Sequence, residues 1–466
     1  MNENDHVLKS ACKIELENGF YDYKINDIPI FNYLKRFYRR SKLNQAKGDN
    51  SNYGRGNHIS FWDHIKMLFR YNEYERKSLK QILWLYLSSK TYDNFVFAFM
   101  RKELVNGQFV DKFTDPLIDH SNIKHSYIIF ERSFQGKHPT PRYHSEKIIY
   151  DDILWKIAKT RAFFFSPFFN LRHKKILDEL MGKLDECYPD IYHTKQYTSY
   201  FIHFNYIYTK LYYRLLKKLK SKRLIAPSRA DFLQLIPAAK LNNIEVIELQ
   251  HGITYGESMT YSGYRDNMFT PDCFLSFGKL APSNVYGIDE DKIQEIGWAF
   301  ADFLKSQSFH ESVGDDVLVI SEPSVSSQML KTAVELAEKN PLVTFYFRPH
   351  PNEILSQEQK DVINQTANIV LDNNSNSIMV TMMKFQYVVG ENSTALYEAL
   401  AMGKKVGNLY MNGLAPKFLQ EDDDECFWAI HNDMDFKTFL KESKDSKPSR
   451  SIYSKFKPDM VNRIVT

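Results

Sequence analysis

The chain has 466 residues, with 61 Lys and Arg against 57 Asp and Glu, so its formal net charge is +4 and its pI about 8.5. This excess is too small for a dedicated nucleic-acid binder, and 43% hydrophobic with 25% charged residues excludes disordered, collagen-like and coiled-coil chains. Aromatic residues depart from ordinary usage: 34 Phe, 29 Tyr and 5 Trp make up 15% of the chain. A chain of this length is expected to form more than one core.

Cysteine spacing and apolar segments indicate a cytoplasmic protein. No C-x-x-C motif is present, which argues against a zinc knuckle and against a disulfide framework. The first 20 residues lack the basic and apolar regions of a signal peptide. The most apolar runs, Ile82–Leu87 and Phe163–Phe169, are far shorter than the about 20 residues of a spanning helix. Peripheral contact with the inner face of the cell membrane stays open.

Residues 1–85 are predicted to form a helical N-terminal extension. In the segments 24–40 and 61–71, aromatic residues recur three and four positions apart, which is typical of helices. The segment 41–58 between them is polar and rich in Gly and Asn, so we expect a loop. A small basic group accompanies the first helix: Arg36, Arg39, Arg40 and Lys42. It is either a solvated helix face or a contact with anionic lipid or a lipid-linked acceptor.

Residues 86–310 are predicted to form a Rossmann-like acceptor domain. Short apolar runs alternate with helical stretches, and strand, helix, strand with short connections is the pattern of a parallel α/β unit. The expected strands are Asn94–Met100, Ser126–Arg132, Arg223–Ser228, Ile244–Gly252, Cys273–Gly278 and Lys292–Trp298.

Residues 311–445 show the same alternation of apolar runs and helical stretches and are predicted to form a second Rossmann-like domain, which holds the donor. The expected strands are Asp316–Ser321, Leu342–Pro351, Asn368–Asp372, Phe385–Gly390 and Lys405–Tyr410. The tail, residues 446–466, is expected to be helical. The predicted fold class is therefore α/β, with two doubly wound domains facing a cleft, and ligands of such sheets bind beyond the carboxyl ends of the strands.

The strongest candidate binding motif follows the strand that ends at Gly390. A polar turn of Glu391, Asn392, Ser393 and Thr394 opens the next helix, where free backbone N–H groups favour a phosphate or diphosphate. Glu398 lies about one helical turn further on, where its carboxylate could accept hydrogen bonds from the hydroxyls of a ribose. The alternative is an ordinary N-cap serine with a nearby glutamate.

A second motif, Arg348-Pro349-His350-Pro351, follows the second strand of the same domain. The two prolines restrict the backbone around His350, and a rigidly placed imidazole beside Arg348 suits recognition of a nucleotide phosphate or base edge. Ser321 and Glu322, after the first strand, lie at an equivalent edge and are weaker candidates for holding phosphate.

The first domain offers candidates for a general base. His251 ends a strand in the sequence Gln250-His251-Gly252, and histidine titrates in the range that deprotonation of an acceptor hydroxyl needs. A structural histidine at a tight glycine turn is the alternative. Glu257, Glu131 and Asp115 are further acidic candidates for a base or an orienting group.

These motifs together resemble the GT-B glycosyltransferases of bacterial surface polysaccharides. The LQHG strand end, the RPHP segment and the stretch GENSTALYEALAMGKKV are similar to capsule glycosyltransferases, and more distantly to polysialyltransferase and CDP-glycerol glycerophosphotransferase types. The resemblance covers about residues 223–410. It implies a GT-B fold, with donor nucleotide bound by His350-Pro351 and Ser393-Thr394, and a ribose-binding role for Glu398.

No cofactor and no metal are expected. The acidic run Glu421–Glu425 contains D-x-D, the metal motif of the other glycosyltransferase fold, but it follows the last predicted strand and is expected to be a solvated loop. Helix dipoles and cationic side chains can stabilise a leaving diphosphate without a metal. A basic segment, Lys210–Arg229, has no acidic residue before its end and either covers the sheet or touches an anionic membrane.

The function expected from the motifs and the resemblance is transfer of a sugar from a nucleotide-sugar donor to a hydroxyl of a bacterial surface glycan, such as a capsule or O-antigen-like chain. UDP-sugar is the first choice of donor, with galactofuranose as one sugar, and the acceptor is an oligosaccharide or lipid-linked glycan. The alternatives are a sugar-nucleotide 2-epimerase, a CDP-glycerol or CMP-sugar transferase, and a non-catalytic glycan-assembly protein. No nucleic-acid partner is expected.

Overall fold

A computed structural model describes residues 3–46, 70–191, 194–252, 256–279, 287–307, 309, 316–391, 393–414, 427–442 and 453–465. The helices are α1 Glu3–Glu17, α2 Lys35–Ala46, α3 Glu73–Leu87, α4 Asp115–Asp119, α5 Asp152–Arg172, α6 Lys174–Cys187, α7 Lys195–Leu219, α8 Leu235–Lys240, α9 Ala299–Ser306, α10 Ser326–Lys339, α11 Gln357–Gln365, α12 Ile378–Met383, α13 Thr394–Ala401, α14 Asp433–Lys441 and α15 Pro458–Val465.

The strands fall into two large sheets and two small hairpins. They are β1 Lys24–Ile25, β2 Ile28–Pro29, β3 Asn94–Phe97, β4 Glu103–Val105, β5 Gln108–Val110, β6 Tyr127–Glu131, β7 Ile148–Tyr150, β8 Arg223–Pro227, β9 Glu245–Leu249, β10 Cys273–Ser276, β11 Ile293–Glu295, β12 Val317–Ile320, β13 Phe345–Arg348, β14 Ile369–Leu371, β15 Tyr387–Gly390, β16 Lys405–Leu409 and β17 Trp428–Ile430.

The first large sheet has seven strands in the order β11-β10-β9-β8-β3-β6-β7. All neighbouring pairs run parallel, so each connection must cross over the sheet and helices cover its faces. Burial on both faces explains why strands such as Asn94–Phe97 and Cys273–Ser276 are buried at every position. β7, a three-residue strand at the edge of this sheet, was not predicted from the sequence.

The second large sheet has six parallel strands in the order β14-β13-β12-β15-β16-β17. The order reverses direction at β12 and β15, and a crevice opens beyond the carboxyl ends at such a switch point. The α/β class and the two Rossmann-like doubly wound sheets of a GT-B arrangement are therefore confirmed.

The helix α9 and the tail join the two halves. The apolar side chains of Phe300 and Phe303 on α9 share one core with Met379 and Leu400 of the second domain. The tail returns to the first domain, where Lys457 pairs with Glu295 at 2.6 Å, and its last helix packs against residues near Asn122. The two domains are thus held together by continuous packing.

The N-terminal extension contains the small hairpin of β1 and β2 as well as helices. Its aromatic side chains form a separate core with α6 and the start of α7. Arg39 corrects the expectation of a solvated basic face, because its side chain is 0% exposed and donates to Glu15 at 2.5 and 2.8 Å. An arginine held in this way anchors α2 to α1. The segment 61–69 lies outside the described residues.

The basic segment Lys210–Arg229 is divided between two roles. Its first part is the end of α7, which covers the sheet with buried residues such as Tyr212, Leu215 and Leu219. Arg229 follows β8 instead, is buried, and pairs with Glu248 at 2.7 Å. In the described part of the chain, no helix is both long and apolar enough to cross a membrane.

Candidate functional site

The turn after β15 carries the predicted phosphate seat. Ser393 is the N-cap of α13, and its side chain accepts the backbone N–H of Ala395 at 3.3 Å. Thr394, the first residue of the helix, is exposed, while Glu391 at the strand end is buried. Asn392 lies outside the described residues. The helix N-terminus therefore opens at the carboxyl edge of the sheet, with a hydroxyl on each of its first two residues.

His350 is exposed at the same edge, and a local contact determines which ring nitrogen carries the proton. Its Nδ1 accepts the backbone N–H of Asn352 at 3.1 Å, so the neutral imidazole carries its hydrogen on Nε2. An exposed N–H donor with a set direction can hydrogen-bond a phosphate oxygen or a base carbonyl. Pro351 follows directly and is exposed as well.

Glu353 organises this edge and was not a candidate in the sequence. Its carboxylate accepts from the hydroxyls of Ser321 at 3.2 Å and Ser326 at 2.6 Å, and from the backbone N–H of His350 at 3.2 Å. Glu353 thus ties the turn after β12 to the loop after β13. Its place at the end of the RPHPNE segment was the available signal. Glu322, beside Ser321, accepts from Ser324 at 2.6 Å.

The side chain of Arg348 is buried within the second domain. Its guanidinium is buried and donates to Asp372 at 2.9 Å, to the Thr381 hydroxyl at 2.8 Å and to the Asn376 carbonyl at 2.7 Å. Three such bonds fix the loop after β14 against α12. Arg348 therefore supports the edge at which His350 lies, with its guanidinium engaged by partners within the second domain.

Glu398 spans the gap between the two domains. Its Oε1 lies 3.3 Å from Nζ of Lys112, which belongs to the first domain. Burial raises the pKa of Glu398 above its usual value, although the Lys112 ammonium opposes that rise. The lysine was not a sequence candidate because it lies in a loop without a motif, and only the folded chain brings it to α13.

His251 follows β9 and faces the same gap from the other side. Its Nδ1 lies 3.2 Å from the Tyr261 hydroxyl, and its ring stands 6.1 Å from that of Phe99. Burial lowers the pKa of His251 below its usual value; the carboxylates of Glu248 and Asp231 oppose this, and the cations Lys112 and Arg36 add to it. The imidazole is therefore neutral at pH 7. Lys112 acts on both His251 and Glu398, so one cation links the two candidate residues.

Glu131 lies inside a buried network of charges. Its carboxylate accepts from Arg142 Nε at 2.9 Å and from His138 at 2.9 Å, and Lys102 lies 3.4 Å away. Burial alone would raise the pKa of Glu131, but these cations lower it to about 2. Arg142 Nη1 also forms an ion pair with Asp115 Oδ2 at 2.5 Å. Both acids are thus engaged with cations within the protein.

Glu257 lies in the loop after β9 beside the N-terminal helix. Its carboxylate is 3.9 Å from Lys9, and its backbone N–H donates to Asp5 at 2.9 Å. These contacts join the loop to α1. The structure shows no contact between Glu257 and His251.

A cluster of cationic side chains lies next to Tyr261, whose hydroxyl is 3.2 Å from Nδ1 of His251. Arg229 stands over the Tyr261 ring at 4.9 Å, and the buried Lys35 is close enough to Arg229 and Arg39 to feel their charges. Burial, reinforced by these arginines, lowers the pKa of Lys35 to about 7. Sequence reasoning missed this cluster, because Arg229 lies 190 or more positions from Lys35 and Arg39 along the chain.

Among the described residues, no group of three or more His, Cys, Asp or Glu side chains is placed to hold a metal ion. The D-x-D run at 421–425 lies outside the described residues.

Comparison with known proteins gave matches to solved structures only. No family model and no curated protein matches the chain. A UDP-GlcNAc 2-epimerase from Neisseria meningitidis bound to UDP-GlcNAc is 13% identical over 80% of this chain and 97% of its own, with a TM-score of 0.48. A glycosyltransferase from Rickettsia africae is 14% identical over 81% and 97%, with a TM-score of 0.43. The wall teichoic acid polymerase TagF is 10% identical over 84% and 89%, with a TM-score of 0.42. At these values none of the three bears on the activity of this chain.

Proposed function

We propose that this protein is a glycosyltransferase that moves a sugar from a nucleotide-sugar donor to a hydroxyl of a bacterial surface glycan. One observation supports the proposal: the half-buried His251 of the first domain and Glu398 of the second domain both lie within the influence of the same cation, Lys112. A base on one side and a diphosphate seat on the other are what transfer between two substrates requires.

The donor is held by the second domain in this proposal. The N-terminus of α13, with Ser393 and Thr394, binds the diphosphate, and Nε2–H of His350 donates to a phosphate oxygen or to the base. Glu398 accepts hydrogen bonds from the ribose hydroxyls. When the donor binds, Lys112 leaves Glu398 for the diphosphate, so its charge moves to where negative charge develops. UDP is the preferred nucleotide.

The acceptor is activated by the first domain. When Nδ1–H of His251 donates to the Tyr261 oxygen, Nε2 is left as the acceptor of a proton. The acceptor hydroxyl gives its proton to Nε2 and forms the new bond to the anomeric carbon. The bond from that carbon to the diphosphate breaks, and UDP leaves with the electron pair.

Product analysis distinguishes transfer from epimerisation. The protein is incubated with UDP-sugars that carry a radiolabel in the sugar, UDP-galactofuranose and UDP-GlcNAc among them, with and without a panel of oligosaccharides. We expect UDP to appear in proportion to labelled oligosaccharide, and only when an oligosaccharide is present. Conversion of the UDP-sugar into its epimer without any oligosaccharide would show a 2-epimerase instead. Intact donor with every oligosaccharide and every UDP-sugar would count against both.

A further inference from the structure

An uncovered apolar stripe lies on α5 near its C-terminal end. Three large side chains point outward there: Phe165 is 53% exposed, Phe168 70% and Leu171 76%. The rings of Phe165 and Phe168 lie 6.4 Å apart, so they form one surface rather than separate points. Surface aromatics scattered singly are ordinary, but a contiguous group on one helix face marks an interaction site.

Cations frame the stripe at helical spacing. Arg161 and Arg172 stand four residues before Phe165 and four after Phe168, so all four side chains share one face of α5. Lys174 and Lys175 follow at once, and all four of these cations are exposed. Residues 153–177 include no acidic residue, and the next acid, Asp178, is already paired with Lys195.

No carboxylate of the described residues balances these charges. In the part of the chain that the structure describes, no carboxylate lies within 4.0 Å of Arg161, Arg172, Lys174 or Lys175. The positive charge also lowers the pKa of two nearby histidines. Burial lowers the pKa of His203 to about 4, with Arg161 adding to the effect, and the pKa of His173 is lowered by burial and then by Arg172 and Lys210. An apolar surface flanked by exposed cationic side chains is complementary to an anionic lipid surface.

The stripe lies on the side of the sheet where the cleft opens. α5 starts at the carboxyl end of β7, and its first residues meet the middle of α7, where Tyr212 donates to Asp151 at 2.5 Å. Further along α5, Ser166 meets His203, which lies earlier in α7, so the two helices run antiparallel. Since α7 ends at the amino edge of the sheet, α5 must project beyond the carboxyl edge. Phe168 lies 17 residues past Asp151, about 25 Å along the helix.

We propose that this stripe, Arg161, Phe165, Phe168, Leu171 and Arg172, docks the protein on an anionic lipid bilayer. The apolar side chains enter the boundary between headgroups and acyl chains, and the flanking cations contact lipid phosphates. The first-domain end of the cleft then faces the membrane, where a lipid-linked substrate would be presented. The proposal does not depend on the sugar-transfer activity, since vesicle binding is measured without any donor.

Co-sedimentation with vesicles tests the proposal. The full chain is mixed with vesicles of pure phosphatidylcholine and with vesicles that contain phosphatidylglycerol. We expect binding to the anionic vesicles that falls as salt rises, with little binding to phosphatidylcholine alone. Replacing Phe165, Phe168 and Leu171 together by serine should lower the partition coefficient on the order of 100-fold. Arg161→Gln with Arg172→Gln should lower it about 30-fold.

Matched controls come from the second domain, where Leu342 is 98% and Ile354 94% exposed. Leu342→Ser and Ile354→Ser should bind anionic vesicles as the parent protein does. The proposal is overturned if the parent protein ignores phosphatidylglycerol, if the triple serine variant still binds, or if these controls lose binding equally. It is also overturned if light scattering shows that the serine substitutions dissociate an oligomer while vesicle binding is unchanged, because the stripe would then be a subunit interface.

Discussion

Replacing His251 by glutamine should lower the turnover number by about 10²- to 10⁴-fold, which is the range that general-base catalysis contributes. Glutamine keeps a polar side chain of similar reach but cannot take a proton from the acceptor. Steady-state kinetics with the labelled donor and the acceptor found in the oligosaccharide panel would measure the loss. Affinity for UDP should be unchanged, since the donor is held by the other domain.

The pH profile separates this role from a structural one. Burial places the pKa of His251 below its usual value of 6.5, and the base acts when it is unprotonated. Turnover should therefore rise with pH through that lowered pKa and be complete at pH 7. The acidic limb should vanish in His251→Gln, whereas His173→Gln, which changes a half-buried histidine on the distant end of α5, should keep it. Full turnover by His251→Gln would remove this residue from the mechanism.

Replacing Arg142 by methionine should lower the free energy of unfolding by about 3–5 kcal/mol, because it leaves buried carboxylates without their partner. Arg142 donates to Glu131 at 2.9 Å and to Asp115 at 2.5 and 3.2 Å, and all three side chains are buried. Chemical denaturation followed by circular dichroism would measure the change. The strands β6 and β7 and the helix α4 should be lost together, since the network joins them.

The matched control is Arg265→Met, which removes an exposed arginine that pairs with Asp289 at the same distance of 2.5 Å. Solvent screens that pair, so the denaturation midpoint should not move measurably. The pH dependence has a defined direction. The pKa of Glu131 is lowered to about 2, so its ionised carboxylate stabilises the folded state above its usual pKa of 4.5, and this stabilisation is lost as the pH falls toward 2. The difference in free energy of unfolding between the parent protein and Arg142→Met should therefore become smaller as the pH falls from 4.5 toward 2. Equal effects of the two arginine substitutions would contradict the buried network.

Periodicity was sufficient for the sheets and for their carboxyl edges. Strands that are buried on both faces have sequences that are short apolar runs. The sequence therefore predicted β8, β9, β12, β13, β15 and β16. The positions of the turns after these strands follow from the parallel topology. This is why His251, His350 and Ser393 were predicted to lie at strand ends. The edge strands β7 and β17 were not predicted, although the edge strands β11 and β14, which are also three residues long, were.

Partnerships between distant residues could not be predicted. A charged side chain looks the same in the sequence whether it is solvated or buried against a counter-charge, so Arg39 and Arg348 seemed available, and both are enclosed. Lys112 and Glu353 carry no motif and become site residues only through the fold. The roles of His251, Glu257, Glu131 and the donor-side residues remain predictions.

The central claim is that the second-domain edge binds a nucleotide, with Glu398 on the ribose. Calorimetric titration of UDP, 2′,3′-dideoxy-UDP, CDP and CMP into the parent protein, and of the first two into Glu398→Gln, tests it most directly. A hydrogen bond to a charged carboxylate predicts that the parent protein binds UDP about 10- to 100-fold more tightly than the dideoxy compound, and that Glu398→Gln binds both alike. The claim is contradicted if the parent protein binds none of UDP, CDP and CMP, or if it binds UDP and the dideoxy compound equally well.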